Sequence, residues 1–162
     1  MGEICSLRCP SCGYYVPLWL GIGFFHPMVL ADTQELSKKG KLGATLRRFL
    51  AEHPDGVVYP EKVLAQCEKC KEYSSVNLLD MYIPKDEDAA KSNVKAMNRS
   101  EEDYWDLYNK LDEQYKLFKE FPHRCGKCHG KVKVLRHVDW DNLKCPHCDD
   151  QILEVIEQGN WD

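Results

Sequence analysis

Apolar positions recur at two periods along the chain, and each period predicts a different kind of element. Between residues 42 and 51, Leu42, Leu46, Phe49 and Leu50 fall on one side of a helix, with Arg47 and Arg48 outside that face. Further on, Ser100-Glu101-Glu102-Asp103 resembles a capping box, with acids where a helix N-terminus favours them. Tyr104, Leu107, Tyr108, Leu111, Tyr115 and Phe118 follow at helical spacing, which predicts an amphipathic helix ended by Phe121-Pro122. Strands are predicted by alternation. Lys131-Val132-Lys133-Val134-Leu135 alternates charge and apolarity, residues 152–156 read as its partner, and residues 74–79 give another strand behind the run Val63-Leu64-Ala65. The most apolar stretch, residues 14–30, is interrupted by Pro17, Gly21, Gly23, His26 and Pro27. No run approaches the roughly 18 apolar residues of a transmembrane helix.

Cysteine spacing changes this picture most. Eight of the nine cysteines form four Cys-x-x-Cys pairs: Cys9/Cys12, Cys67/Cys70, Cys125/Cys128 and Cys145/Cys148. Each pair puts two sulfurs on one tight turn as two corners of a tetrahedron, so eight thiolates suit two all-cysteine zinc sites with Zn–S bonds of about 2.3 Å. The expected cofactor is therefore zinc, two ions per chain. Only 16 residues separate Cys128 from Cys145, an ordinary spacing for two knuckles of one ribbon, whereas 54 residues separate Cys12 from Cys67. The order knuckle, strand, turn near residues 139–142, knuckle, strand therefore predicts one site from the last two pairs. The first two pairs are then assigned to a second site. An interleaved pairing, first with third and second with fourth as in RING domains, is the alternative. The equal 54-residue gaps and the lack of a histidine in the ligand series argue against it.

These residues resemble the zinc-ribbon superfamily, including the rubredoxin-like four-cysteine knuckle, over residues 123–157 and more loosely over residues 7–83. The resemblance implies β-hairpins carrying metal ligands, and modules used for interaction or nucleic-acid binding more often than for catalysis. The fold class expected is a small metal-stabilised α+β protein of two zinc ribbons, with a helical insertion in the first and an amphipathic connecting helix. The polar residues 84–98 suggest a boundary. Residues 1–84 would form the N-terminal ribbon with its insertion, 85–121 a linker and helix, and 122–162 the C-terminal ribbon.

Other chemistries compete for the same residues. Cys9-Pro-Ser-Cys12-Gly13 and Cys145-Pro-His-Cys148 resemble rubredoxin knuckles, but at opposite ends of the chain, so zinc is expected rather than iron. Cys125-Gly-Lys-Cys128-His129 matches a c-type haem attachment pattern, yet it is better explained as half of a ribbon. Cys5 reads as a free thiol near a frayed terminus. His26, His53, His123, His129, His137 and His147 form no recognisable ligand or acid–base cluster; His129 and His147 decorate knuckles. Gly21 and Gly23 before Phe24 and Phe25 suggest a hairpin turn, or else a contact loop over residues 21–27. No His-Glu-x-x-His, Gly-x-Ser-x-Gly or phosphate-cradling glycine-rich motif occurs, so no catalytic residue is assigned and a non-catalytic role is expected, with an enzyme of unrecognised site or rubredoxin-like electron transfer as the less favoured readings.

Charge then bears on partners. The formal net charge is −4, distributed as zero over residues 1–84, −3 over 85–122 and −1 over 123–162. Such a chain has no global attraction for nucleic acid. Two local basic clusters remain: Lys38, Lys39, Lys41, Arg47 and Arg48, and Arg124, Lys127, Lys131, Lys133 and Arg136. The expected partner is another protein, with nucleic acid as the alternative and no membrane; oligomeric state is left open. Gly2 and Ser6 fit the loose N-myristoylation pattern, without a secretory layout at the start. Thiols reserved for metal fit a cytoplasmic address.

Overall fold

The computed structural model describes residues 2–23, 26–86, 111–148 and 151–161. In chain order its elements are strands β1 (Gly2–Arg8) and β2 (Tyr15–Leu20), helices α1 (His26–Lys38) and α2 (Ala44–Glu52), and strands β3 (Val57–Tyr59), β4 (Lys62–Cys67), β5 (Tyr73–Asn77) and β6 (Asp80–Pro84). After these come the short helix α3 (Leu111–Gln114), strands β7 (Tyr115–Lys119) and β8 (Val132–Val134), a 3-10 turn (Trp140–Asn142) and strand β9 (Glu154–Trp161). Three antiparallel sheets result, ordered β2-β1-β9, β5-β4-β8 and β3-β6-β7. No described helix is long and apolar enough to cross a membrane.

The contacts divide the chain into two units. The first collects Met1–Phe24, Glu61–Leu78 and Pro122–Asp162; the second collects Phe25–Pro60 and Leu79–Phe121. Neither follows the consecutive segments 1–84, 85–121 and 122–162 expected from composition. The cause is strand pairing between distant parts of the chain. β1 pairs with β9 in the register Leu7↔Val155 and Ser6↔Ile156, and β4 pairs with β8 through Ala65↔Val134 and Cys67↔Val132.

The two sheets of the first unit share one plan. A hairpin turned by a Cys-x-x-Cys segment supplies two strands, and a strand following another Cys-x-x-Cys segment pairs with the hairpin's first strand. Residues 152–156 were expected to pair with β8; β9 instead completes the N-terminal sheet. Cys5 lies in the central strand of that sheet, 6% exposed, so its expected place at a frayed terminus is corrected. One core joins Leu7, Leu18, Leu64, Tyr73, Leu143 and Leu153 to Cys9 and Cys145, and a smaller one joins Ala65 and Val132 to Cys67.

In the second unit α2 presents the expected face: Leu46, Phe49 and Leu50 are buried with Val58 and Met81. Helix α1 was not expected. It buries Leu30, Thr33, Gln34 and Ser37, a helical stripe that is mostly polar and therefore invisible to a hydrophobic pattern. Pro27 fits because the first turn of a helix has no internal partner for the missing N–H. Buried Gln34 works like a strand neighbour: its amide donates to Val58 O at 2.7 Å while its carbonyl accepts from Val58 N at 3.1 Å. The predicted helix over residues 100–118 lies partly outside the described residues. Within them it holds for 111–114 and fails at Tyr115, where the chain becomes β7 and pairs with β6 through Tyr82↔Leu117 and Pro84↔Tyr115. Ladder hydrogen bonds and aromatic strand preference outweigh a short helical periodicity there. Asp80, 1% exposed, fixes the end of that strand by accepting the Phe121 amide at 2.9 Å.

Candidate metal centres

The first three knuckles are built by the same backbone bonds, whereas in the fourth Cys145 N donates to Gln151 O at 2.7 Å. Cys9 N donates to Tyr14 O at 2.8 Å and Gly13 N to Cys9 O at 3.1 Å; Cys67 N donates to Glu72 O and Lys71 N to Cys67 O, both at 3.0 Å. The third knuckle repeats them, Cys125 N to Gly130 O and His129 N to Cys125 O, both at 2.9 Å. This turn requires a left-handed residue directly after the second cysteine. Gly13 supplies it with φ 73°, but Lys71 and His129 occupy the same region with φ 60° and 57°. A side chain there costs roughly 1 kcal/mol. Replacing either with glycine (Lys71→Gly or His129→Gly) is expected to raise the thermal midpoint of metal-loaded protein slightly without changing its metal content. Loss of a metal ion from His129→Gly would make that histidine a ligand.

Two groups of four sulfurs result, each lying within 4.8 Å: Cys9, Cys12, Cys145 and Cys148, and Cys67, Cys70, Cys125 and Cys128. The first knuckle therefore joins the fourth and the second joins the third. This corrects the expected pairing of neighbours along the chain, and equally the interleaved alternative. Between knuckles, Cys9 and Cys148 approach to 4.0 Å, Cys12 and Cys145 to 3.7 Å, Cys67 and Cys128 to 3.4 Å, and Cys70 and Cys125 to 3.7 Å. A tetrahedron with bonds of about 2.3 Å has edges of about 3.8 Å. All eight cysteines singled out by spacing are thus brought into clusters that could hold metal ions, and among the described residues no histidine joins either.

The sulfurs' electrostatics also ask for a cation. The Cys70 amide, 3.4 Å from Cys67 Sγ, holds that thiol down to about 6 against the opposing effect of burial. The Cys12 amide holds Cys9 down to about 7. Their neighbours go the other way. At Cys70 the Glu72 amide pulls down, but burial and the Cys67, Cys128 and Cys125 sulfurs prevail, pushing it up to about 12. Cys148 is pushed up to about 12 by Cys12 first, then by burial and by Cys9 and Cys145. Cys125 is held down as well, by the Cys128 amide, so each centre has at least one thiol poised to ionise, and its charge discourages the raised neighbours, as like charges sharing a site do. A divalent cation removes the conflict.

Around the sulfurs, Tyr14, Glu72 and Tyr73 were not singled out by sequence, and His147 was read only as decorating its knuckle. Glu72 accepts from Lys127, which together with His147 and Tyr14 holds its carboxyl below the usual range. His147 Nε2 lies 3.3 Å from the same carboxylate, and its ring meets Tyr14 edge-on at 4.9 Å. Tyr73 donates its amide to Tyr14 Oη at 3.2 Å and its hydroxyl to Lys144 O at 3.1 Å. Their common signal is position, since each lies within a knuckle or just beyond it. Gly130 is the other omission: a Cβ there would stand 2.8 Å from Lys69 Cβ and 3.2 Å from both Cys67 Sγ and Cys128 Sγ. Gly130→Ala is therefore expected to lower metal affinity at that centre by about tenfold, since overpacking costs roughly 1–3 kcal/mol. Competition with a chromophoric chelator measures it, and unchanged affinity would show that the turn can yield.

Fold and site together define a small α+β protein with two four-cysteine clusters, compatible with zinc-ribbon-like sites. No protein family, curated relative or solved structure matches the chain.

Proposed function

We propose that the chain is a non-catalytic zinc protein, whose two structural four-cysteine centres hold a scaffold that docks another protein. The observation carrying this reading is the closed geometry of the clusters. Four sulfurs supply all four positions of a tetrahedral ion, leaving none for water or substrate. The plan shared by the two sheets supports extending the zinc-ribbon resemblance to both, each built from distant segments. Nine cysteines without a disulfide suit a reducing compartment, and on this reading the protein is cytoplasmic.

Support for a docking role comes from exposed aromatic side chains. On β2, Tyr15 is 52% and Trp19 43% exposed, and Trp19 packs against Trp161 at 5.9 Å. Lys62 Nζ stands 4.5 Å from the Trp161 ring. Aromatic residues are enriched where proteins bind partners. The nucleic-acid alternative draws less support, because Lys39, Lys127 and Lys131 face Glu35, Glu72 and Glu68. Of the contact loop considered over residues 21–27, Phe24 and Phe25 lie outside the described residues.

Metal analysis with an absorption spectrum tests the first half. Two zinc ions per chain and no visible bands are expected; iron bands persisting in native-source protein would turn the reading to electron transfer. For the second half, Tyr15→Ser with Trp19→Ser should abolish cross-linking to bound proteins while zinc content stays unchanged. An unaltered cross-linking pattern would reject this surface.

A further inference from the structure

We infer that the two four-cysteine centres load metal cooperatively, and that Tyr14, Glu72, Tyr73 and His147 carry the coupling between them. The inference rests on the reading of both clusters as zinc sites. Tyr14 follows Cys12 and His147 lies between Cys145 and Cys148, so both belong to one centre. Glu72 and Tyr73 follow Cys70 and belong to the other. The four meet in one cluster: Tyr73 N to Tyr14 Oη, Glu72 to His147 Nε2, and the His147 ring against Tyr14. Lys127, between Cys125 and Cys128, joins through Glu72. Every knuckle thus contributes to a network that forms fully only when both centres are in place.

Packing runs the same way. Cys9 and Cys145 of one centre share a core with Leu64 and Tyr73, which lie on the hairpin carrying the other centre's first knuckle. Tyr14 and Tyr73 are 9% and 6% exposed, so their hydrogen bond has little water to replace it. Whichever ion binds first orders side chains that the second would otherwise have to order, and coupling of this kind is reciprocal. The nested chain path adds a smaller effect. Closing Cys70 to Cys125, 55 residues apart, shortens the 133-residue loop between Cys12 and Cys145, which favours the outer centre by only about twofold. The side-chain network must supply the rest.

Native mass spectrometry of reduced, metal-free, full-length protein given one zinc ion per chain provides the test. Metal-free and two-zinc forms should dominate, with the one-zinc form well below the half share that equal, independent sites would give. A one-zinc form at half share or more would overturn the coupling while leaving the zinc reading intact; no zinc uptake at saturation would overturn that reading and the coupling with it. In Tyr14→Phe with Glu72→Ala, the one-zinc share should rise while two ions still bind at saturation. An unchanged share would remove these residues from the coupling. Should that variant fold poorly, Cys67→Ser with Cys70→Ser gives a second measurement: chelator competition at the remaining centre should show affinity at least tenfold lower, and undiminished affinity would overturn the inference.

Discussion

Cys145→Ser strips metal from Cys9 and Cys12 and removes hydrogen-exchange protection from β1 and β2, although Cys12 and Cys145 lie 133 residues apart. This expected result follows from the joining of the first and fourth knuckles. With one sulfur gone, the remaining three no longer complete the four-sulfur set that could hold an ion. The sheet β2-β1-β9 also loses the anchor that brings its two chain ends together. A structural zinc site contributes roughly 10–16 kcal/mol to folding in peptide systems. That is as large as the whole stability of most domains, roughly 5–15 kcal/mol. The sequential pairing predicts the opposite pattern, in which Cys145→Ser would disturb Cys125 and Cys128 and spare the N-terminal strands. Exchange measured residue by residue separates them: protection lost first at β1 and β2 supports the nested arrangement, and protection lost first around Cys125 and Cys128 sinks it.

Why spacing singled out the eight clustered cysteines but not which pairs meet is a matter of magnitudes. A Cys-x-x-Cys turn is a local object, set by two residues and a few backbone bonds, and all four were visible from spacing alone. Which turn meets which is decided by strand pairing between distant segments. The preference for a short loop is weak. Closing 133 residues instead of the 17 from Cys128 to Cys145 costs only about 2 kcal/mol more. The β1–β9 and β4–β8 ladders outweigh it easily. The same distinction explains the helices. In α2 the buried face is apolar, and Leu46, Phe49 and Leu50 announced it; in α1 the buried stripe includes Thr33, Gln34 and Ser37, whose inward orientation depends on what they meet. Gln34 is buried because Val58 offers both a donor and an acceptor, a fact about β3 rather than about the helix. Tyr115 and Phe118 fit a helical period by chance of spacing, and the free edge of β6 made them a strand.

Phe49→Ala collapses the core of the second unit and leaves the zinc content of the protein unchanged. Phe49 is 4% exposed and packs with Leu46, Leu50, Val58 and Met81. Its ring stacks on Phe118 at 5.6 Å and lies so close over Gly56 that a Cβ there would stand 2.6 Å from Cζ. The backbone cannot close over the vacated space without giving up the turn between α2 and β3. Truncating a buried phenylalanine costs roughly 3–5 kcal/mol, and lost ring stacking adds about 1 kcal/mol. Among the described residues this unit has no metal cluster to offset the loss. For a unit of this size, each kcal/mol lowers the melting midpoint by roughly 4–8 °C, so a fall of more than about 10 °C is expected. Chelation should act in reverse, disordering the cysteine-bearing sheets while amides of α2, β3 and β6 stay protected. Zinc analysis and amide exchange on the same two samples decide the matter. If Phe49→Ala also releases zinc, or chelation also exposes α2, hydrophobic and metal-held stability belong to one cooperative structure rather than to separable units.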